Sequence, residues 1–167
     1  RSKQRDRLPT AEELQMLTNY FYKSWKRVKN STPMHLIMWF ALYTARREDE
    51  LCSLRLDDYD DLNSQWLVRD AKNPNGSLGN HKYAHMEPRA INMIDEFMKS
   101  EVRDRMLALG YDKNILIPVN TRTVSTYFTR ACNACGISDL RFHDLRHEAA
   151  TRYAEDGFTI PQLQTIT

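Results

Sequence analysis

The sequence predicts a mainly α chain, an α+β class in which helices dominate and the β structure is a small hairpin or sheet. Apolar residues recur at helical spacing through most of the 167 residues, and caps, prolines and glycines cut that pattern into seven or eight segments. Only the stretch from Gln65 to Met86 alternates as strands do, around a core of turn-forming residues. Hydrophobic residues make up 41% and charged residues 28%, which is a globular balance with enough apolar material for a real core.

Residues 1 to 8 are polar, basic and aperiodic, and read as a linker from something joined upstream. Thr10 and Glu13 form a capping box. The helix after it carries Leu14, Leu17, Phe21, Trp25 and Val28 on one stripe. Thr32 and Pro33 announce a second helix, with Thr32 as N-cap. From Met34 to Thr44 it is apolar nearly all round, as a central buried helix is. A further helix begins near Arg47, with Arg47, Glu50 and Leu54 on a common stripe. Leu56 to Asp61 reads as an acidic loop without the Gly and Glu of a calcium hand. Gln65–Asp70 and His81–Met86 are the arms of a hairpin, with Lys72 at its mouth and Lys82 on the returning arm.

Pro88 opens a helix with Ile91, Ile94, Phe97 and Met98 inward, and the next, with Val102, Met106 and Leu109, stops at Gly110. Ile115 to Pro118 is a short extended piece. Arg122 to Cys135 is helical, with Gly136 as its stop. The helix through Tyr153 then starts at Phe142-His-Asp-Leu-Arg-His147, and a last one begins at Pro161. There is no apolar run long enough to span a bilayer, and no signal peptide is expected.

The hexapeptide 142–147 concentrates chemistry. His143, Arg146 and His147 stand at a helix start, where free N–H groups and the macrodipole favour an anion. Leu145, Ala149 and Ala150 supply the packing side. A solvated cap accounts for the pattern too, and a zinc site lacks a third ligand at standard spacing. Arg47 is an odd charge to find after a buried helix. Glu50 can hold its guanidinium, although an ordinary surface pair is the plainer reading. Cys132 and Cys135 form a C-x-x-C without a second pair; with three Cys in all, buried structural thiols fit better than a metal or redox site. The formal charge of +2 does not by itself indicate nucleic acid.

Together, three segments resemble the tyrosine recombinases, the phage integrase family. The family's first box, Thr-Gly-x-Arg-x-x-Glu-Leu-x-x-Leu, is matched by Thr44, Arg47, Glu50, Leu51 and Leu54, with Ala45 where Gly is usual. Its second box, His-x-Leu-Arg-His, is matched in full by His143, Leu145, Arg146 and His147. Lys72 resembles the family's hairpin lysine.

The resemblance covers nearly the whole chain. It implies a catalytic domain over residues 9–167 whose C-terminal segment, with a His or Trp and the nucleophilic tyrosine, is expected beyond Thr167. It implies DNA cleavage and rejoining through a 3′-phosphotyrosyl link, without metal or other cofactor. Arg47 and Arg146 would clamp the non-bridging oxygens. Lys72 would protonate the leaving 5′-oxygen. His143 would assist the tyrosine or bind an oxygen, with Glu50 and His147 in support. Further DNA contacts are expected from Arg7, Lys82 and Arg122, and also from Arg1, Lys3 and Arg5. The implied partners are double-stranded DNA and, on it, further copies of the protein as a tetramer. The implied setting is a bacterial or phage-encoded protein in the cytoplasm, at the nucleoid. Two other readings stay open: a non-catalytic helical DNA-binding module and a type IB topoisomerase.

Overall fold

A computed structural model describes residues 5–71 and 74–155, with backbone alone for 153–155. Among them are seven α-helices and one antiparallel sheet of three strands in the order β1-β2-β3. The helices are α1 (Ala11–Arg27), α2 (Met34–Thr44), α3 (Glu48–Leu51), α4 (Pro88–Met98), α5 (Ser100–Leu107), α6 (Thr121–Ala134) and α7 (Asp144–Glu155). The strands are β1 (Tyr59–Asp60), β2 (Gln65–Val68) and β3 (Lys82–His85). The helix expected from Pro161 lies outside the described residues.

The predicted central helix is central. α2 packs against α1, α4, α6 and α7. Ile37, Met38, Phe40, Ala41 and Leu42 are buried along it. Its start differs by one residue from the expected one. Pro33 is the N-cap, without a side-chain cap, and the buried Thr32 offers its carbonyl to the Met34 N–H at 2.8 Å. The capping box of α1 forms as read: Thr10 Oγ1 accepts from the Glu13 N–H and Glu13 Oε1 from the Thr10 N–H. Val28 leaves the stripe because the helix has already ended there; Val28 is the C-cap and exposed.

The region read as an acidic loop contains a strand. Tyr59 pairs with Trp66 and Asp60 with Gln65, too short a ladder to alternate visibly in sequence. The hairpin arms pair Trp66 with Ala84 and Val68 with Lys82. Trp66 is fully buried and donates its indole N–H to the Arg55 carbonyl at 2.8 Å. The extended piece near Ile115 zips onto the chain after α3: Leu116 N–H donates to the Leu54 carbonyl and Leu56 N–H to that of Asn114. Arg103, buried on α5, donates to the carbonyls of Lys113, Ile115 and Leu116 and fixes that segment.

Two further arginines tie distant segments together. Arg105 caps the C-terminal end of α1 through the carbonyls of Trp25, Val28 and Lys29, and its guanidinium lies 3.3 Å from the centre of the Trp25 ring. Arg5 donates to both carboxylate oxygens of Asp144, at 3.0 and 3.1 Å, and to the Asp139 carbonyl at 2.8 Å. Asp144 also accepts the Arg141 N–H at 2.9 Å. Burial pushes the Asp144 carboxyl up, but the Arg5 and Arg141 bonds outweigh it and hold it below the usual range.

The three cysteines carry free thiols, and Cys132 is buried. Burial pushes Cys52 up to about 12 and Cys132 up to about 11, which keeps both protonated and unreactive. Among the described residues no cluster of three or more His, Cys, Asp or Glu could hold a metal ion. No helix among them is long and apolar enough to cross a membrane.

His35 on α2 lies between Tyr22 and Trp25, ring centres 5.5 and 5.8 Å away. Its Nδ1 is buried without a hydrogen-bond partner among the described residues. Burial, reinforced by the Arg105 charge, lowers it to about 4. The unfolded chain binds this proton near pH ~6.5, so between the two values the unfolded state holds more protons. Stability is therefore fully present above about pH 6.5 and falls on acidification toward 4, by about 1.4 kcal/mol per pH unit at most. Urea unfolding at stepped pH measures this, and His35→Phe, which keeps the ring contacts, flattens the profile. Asp144→Ala removes the acceptor for Arg5 and Arg141 and is expected to cost about 2 kcal/mol in the same assay.

Candidate active site

The site forms where the end of α2 meets the start of α7. Ala45 ends α2 in the left-handed conformation, φ 56° and ψ 25°. That geometry explains why the resembling motif prefers glycine at this position, since a Cβ is strained there. The turn reverses the chain into Arg46 and Arg47 and directs the Ala45 carbonyl at α7. Arg146 Nε donates to that carbonyl at 3.1 Å. Two segments 101 residues apart in sequence are so joined by one guanidinium.

Arg47 is the N-cap of α3, a helix of four residues, so the stripe expected to run on to Leu54 stops at Leu51. Leu54 is buried all the same, beyond the helix end. Glu50 behaves differently from the expectation. Its Oε1 accepts the backbone N–H of Arg47 at 3.1 Å, and the guanidinium it faces is that of Arg46, 3.5 Å away. Arg46 has a fully buried side chain, whereas Arg47 is half-exposed. The i, i+4 spacing from Arg46 to Glu50 matches that of an ion pair along a helix. That spacing was visible in the sequence and identifies Arg46, which the motif reading passed over. Glu48 ties α3 to α6, accepting from Ser125 Oγ at 2.6 Å.

The start of α7 also differs from the expectation. The N–H groups of Asp144, Leu145 and Arg146 are not free for an anion; they donate to the carbonyls of Arg141, Phe142 and His143 in a tight turn. An anion here is met by side chains. His143 is exposed, ahead of the helix, and Arg146 and His147 are half-buried on it. Leu145 and Ala149 are buried on the packing side. Burial lowers the Arg146 guanidinium, as does the nearby Arg47 charge, while Glu50 opposes the shift. Lys82 faces the same group from β3: burial lowers its ammonium, as do Arg46, Arg146 and Arg47, against Glu50.

Arg47, Glu50, Arg146 and Lys82 are thus brought together, with Arg46 added. Arg7 is placed elsewhere: it is engaged with Glu13, at 2.7 and 2.9 Å, and with the Ser138 carbonyl. Arg122 is exposed in the first turn of α6. Lys72, Arg1 and Lys3 lie outside the described residues.

The family model of the phage integrase family matches residues 8–167. The chain belongs to the phage integrase family. It is 29% identical over 153 residues to the shufflon-specific DNA recombinase of Escherichia coli, covering 92% of this chain and 34% of that protein. The fold is shared with the XerA recombinase (22% identity, TM-score 0.66, 99% of this chain and 57% of that one). It is likewise shared with a lambda integrase tetramer bound to a Holliday junction (23%, 0.67, 99% and 47%). Against the lambda integrase catalytic core the chain covers 92% of itself and 89% of that structure, with 22% identity and a TM-score of 0.63. The chain therefore spans about a third of the curated relative and about half of the longer solved structures.

Ala45 is the joint of this site, and its substitution separates backbone strain from packing. Ala45→Gly relieves the left-handed strain while losing a buried methyl, and is expected to stay within about 1 kcal/mol of the parent. Ala45→Val sets a β-branched residue at positive φ in a closed site, and should cost about 2 kcal/mol or more. Chemical denaturation of the two variants checks the ranking.

Proposed function

We propose that this chain is the catalytic domain of a site-specific DNA recombinase that cuts and rejoins strands through a 3′-phosphotyrosyl intermediate. The observation that carries the reading is the meeting of Arg47 and Arg146 beside the Ala45 carbonyl. A phosphodiester gathers negative charge on its non-bridging oxygens as it is attacked. Two guanidinium forks grouped beforehand meet that charge with little reorganisation. Arg146 is held by its Nε, which leaves its direction set by the backbone of the opposite segment. Glu50 fixes the Arg47 backbone and balances part of the positive charge.

In this reading His143, exposed ahead of α7, assists the tyrosine's proton or binds an oxygen, and His147 supports it from one turn on. Lys72 donates the proton to the leaving 5′-oxygen. The tyrosine lies beyond residue 167, on a segment of the complete protein. Attack by its hydroxyl forms the phosphotyrosyl bond, and a second strand's 5′-hydroxyl reverses the step, so the bond energy is retained. The partners are double-stranded DNA and, on it, further copies of the protein, as for the lambda integrase tetramer bound to a Holliday junction. Phosphate contacts dominate, and binding weakens steeply with salt. Such a protein works where its DNA is, in the cytoplasm at the nucleoid.

The complete protein, incubated with a library of nicked duplexes that trap cleavage, is expected to yield an adduct stable to detergent, and sequencing its DNA gives the site. Arg47→Ala and Arg146→Ala should each lower adduct formation by about 10²-fold or more. Binding without any adduct would favour a non-catalytic DNA-binding module. Relaxation of supercoils without joining of two sites would favour a topoisomerase.

A further inference from the structure

Strand β3 carries a lysine where an apolar residue would be ordinary. Successive side chains on a strand point to opposite faces. On β3 the exposed Tyr83 and His85 share one face, and the buried Ala84 shares the other with the half-buried Lys82. Lys82 also pairs in register with the buried Val68, at the end of the ladder that leads into the hairpin loop. Its stem therefore runs along the protein side of the sheet rather than into solvent.

The charged groups that face it there are the guanidiniums of Arg46, Arg146 and Arg47 and the carboxylate of Glu50. Arg46 and Arg47 come from the turn before α3, Glu50 from α3 and Arg146 from α7. In this group four cations stand around one carboxylate, in partly dry surroundings where like charges repel strongly. A phosphodiester brought among them relieves that repulsion. The burial and neighbouring charges that lower the Lys82 ammonium act against its charged form until such an anion arrives.

We infer that Lys82 is a catalytic residue of this site, a third clamp on the non-bridging oxygens beside Arg47 and Arg146, rather than a peripheral DNA contact. The inference rests on the recombinase reading above. The clamp role follows from the company Lys82 keeps. Its neighbours are the guanidiniums assigned to those oxygens, and the ladder on β2 fixes the backbone from which Lys82 reaches them. No bond is made or broken at Lys82; it stays an ammonium through the step and only its partner changes.

The test uses the complete protein and the DNA recovered from the adduct selection, made in two forms. One has an oxygen and the other a sulfur at the bridging 5′ position of the scissile phosphate. Sulfur leaves without a proton, so it rescues the loss of a proton donor and not the loss of a clamp. Lys82→Met, which keeps the apolar stem, is expected to slow adduct formation by about 10²-fold on both substrates. Lys82→Arg should recover all but about tenfold of the rate, because a guanidinium can also hold a phosphate oxygen. Lys82→Gln gives the same readout if the Met variant does not fold. Cleavage by Lys82→Met within about threefold of the parent overturns the inference, as does rescue by sulfur, which would make Lys82 the proton donor. If the parent protein forms no adduct, this inference and the recombinase reading fall together. An adduct with the parent and with Lys82→Met alike removes only the Lys82 assignment.

Discussion

The hydrogen bond from Arg146 to the Ala45 carbonyl is the contact on which the site depends. It needs α2 to end in a left-handed turn, because only then does a carbonyl that would close a helical turn face α7 instead. It needs α7 to lie against α2, which the buried Leu145 and Ala149 provide. The packing of two apolar faces thus sets the position of two charged groups. A disturbance of either helix would move Arg146 relative to Arg47 before it unfolded anything.

The second constraint is electrostatic. Arg46 has no exposed side-chain surface, and burying a guanidinium costs several kcal/mol unless a partner meets it. Glu50 is that partner, and the same carboxylate oxygen accepts the Arg47 N–H. One acidic residue so orders the backbone at the start of α3 and offsets cations on both sides. Its removal would leave Arg46, Arg47, Arg146 and Lys82 to repel each other. The dense positive field that suits a phosphate is also the reason this group needs a well-placed carboxylate.

Much of this was legible in the sequence. Long helices announce themselves through period and caps, and α1, α4 and α6 appear close to where the spacing puts them. Strand β1 was not legible, because two residues cannot display alternation. The helix after Arg47 was read too long, since Leu51 and Leu54 keep helical spacing although the chain between them turns. Arg47, Glu50 and Arg146, which the fold groups, stand in the order that the motif reading gave them. Their partners were not legible. Whether Arg46 or Arg47 turns inward depends on the φ of Ala45, and whether the first N–H groups of α7 are free depends on the turn made by 141–143. Both are tertiary decisions: the i, i+4 spacing of Arg46 and Glu50 permits their pair, but the turn at Ala45 settles which arginine goes inward.

The modest formal charge of +2 follows from the same distribution. The basic N-terminal stretch invites a reading as a DNA-binding arm, yet Arg5 lies on Asp144 and Asp139, and Arg7 lies on Glu13. Arg69 is likewise held by Asp58, and Arg89 by Glu87. Away from the site these basic side chains are balanced by carboxylates, so they add little to the long-range field. At the junction of α2, α3, α7 and β3 the ratio reverses, with four cations grouped around Glu50. A protein can therefore be nearly neutral overall and still present a concentrated positive site. The place to look for an anionic substrate is where the pairing pattern breaks, not where lysine and arginine are most frequent.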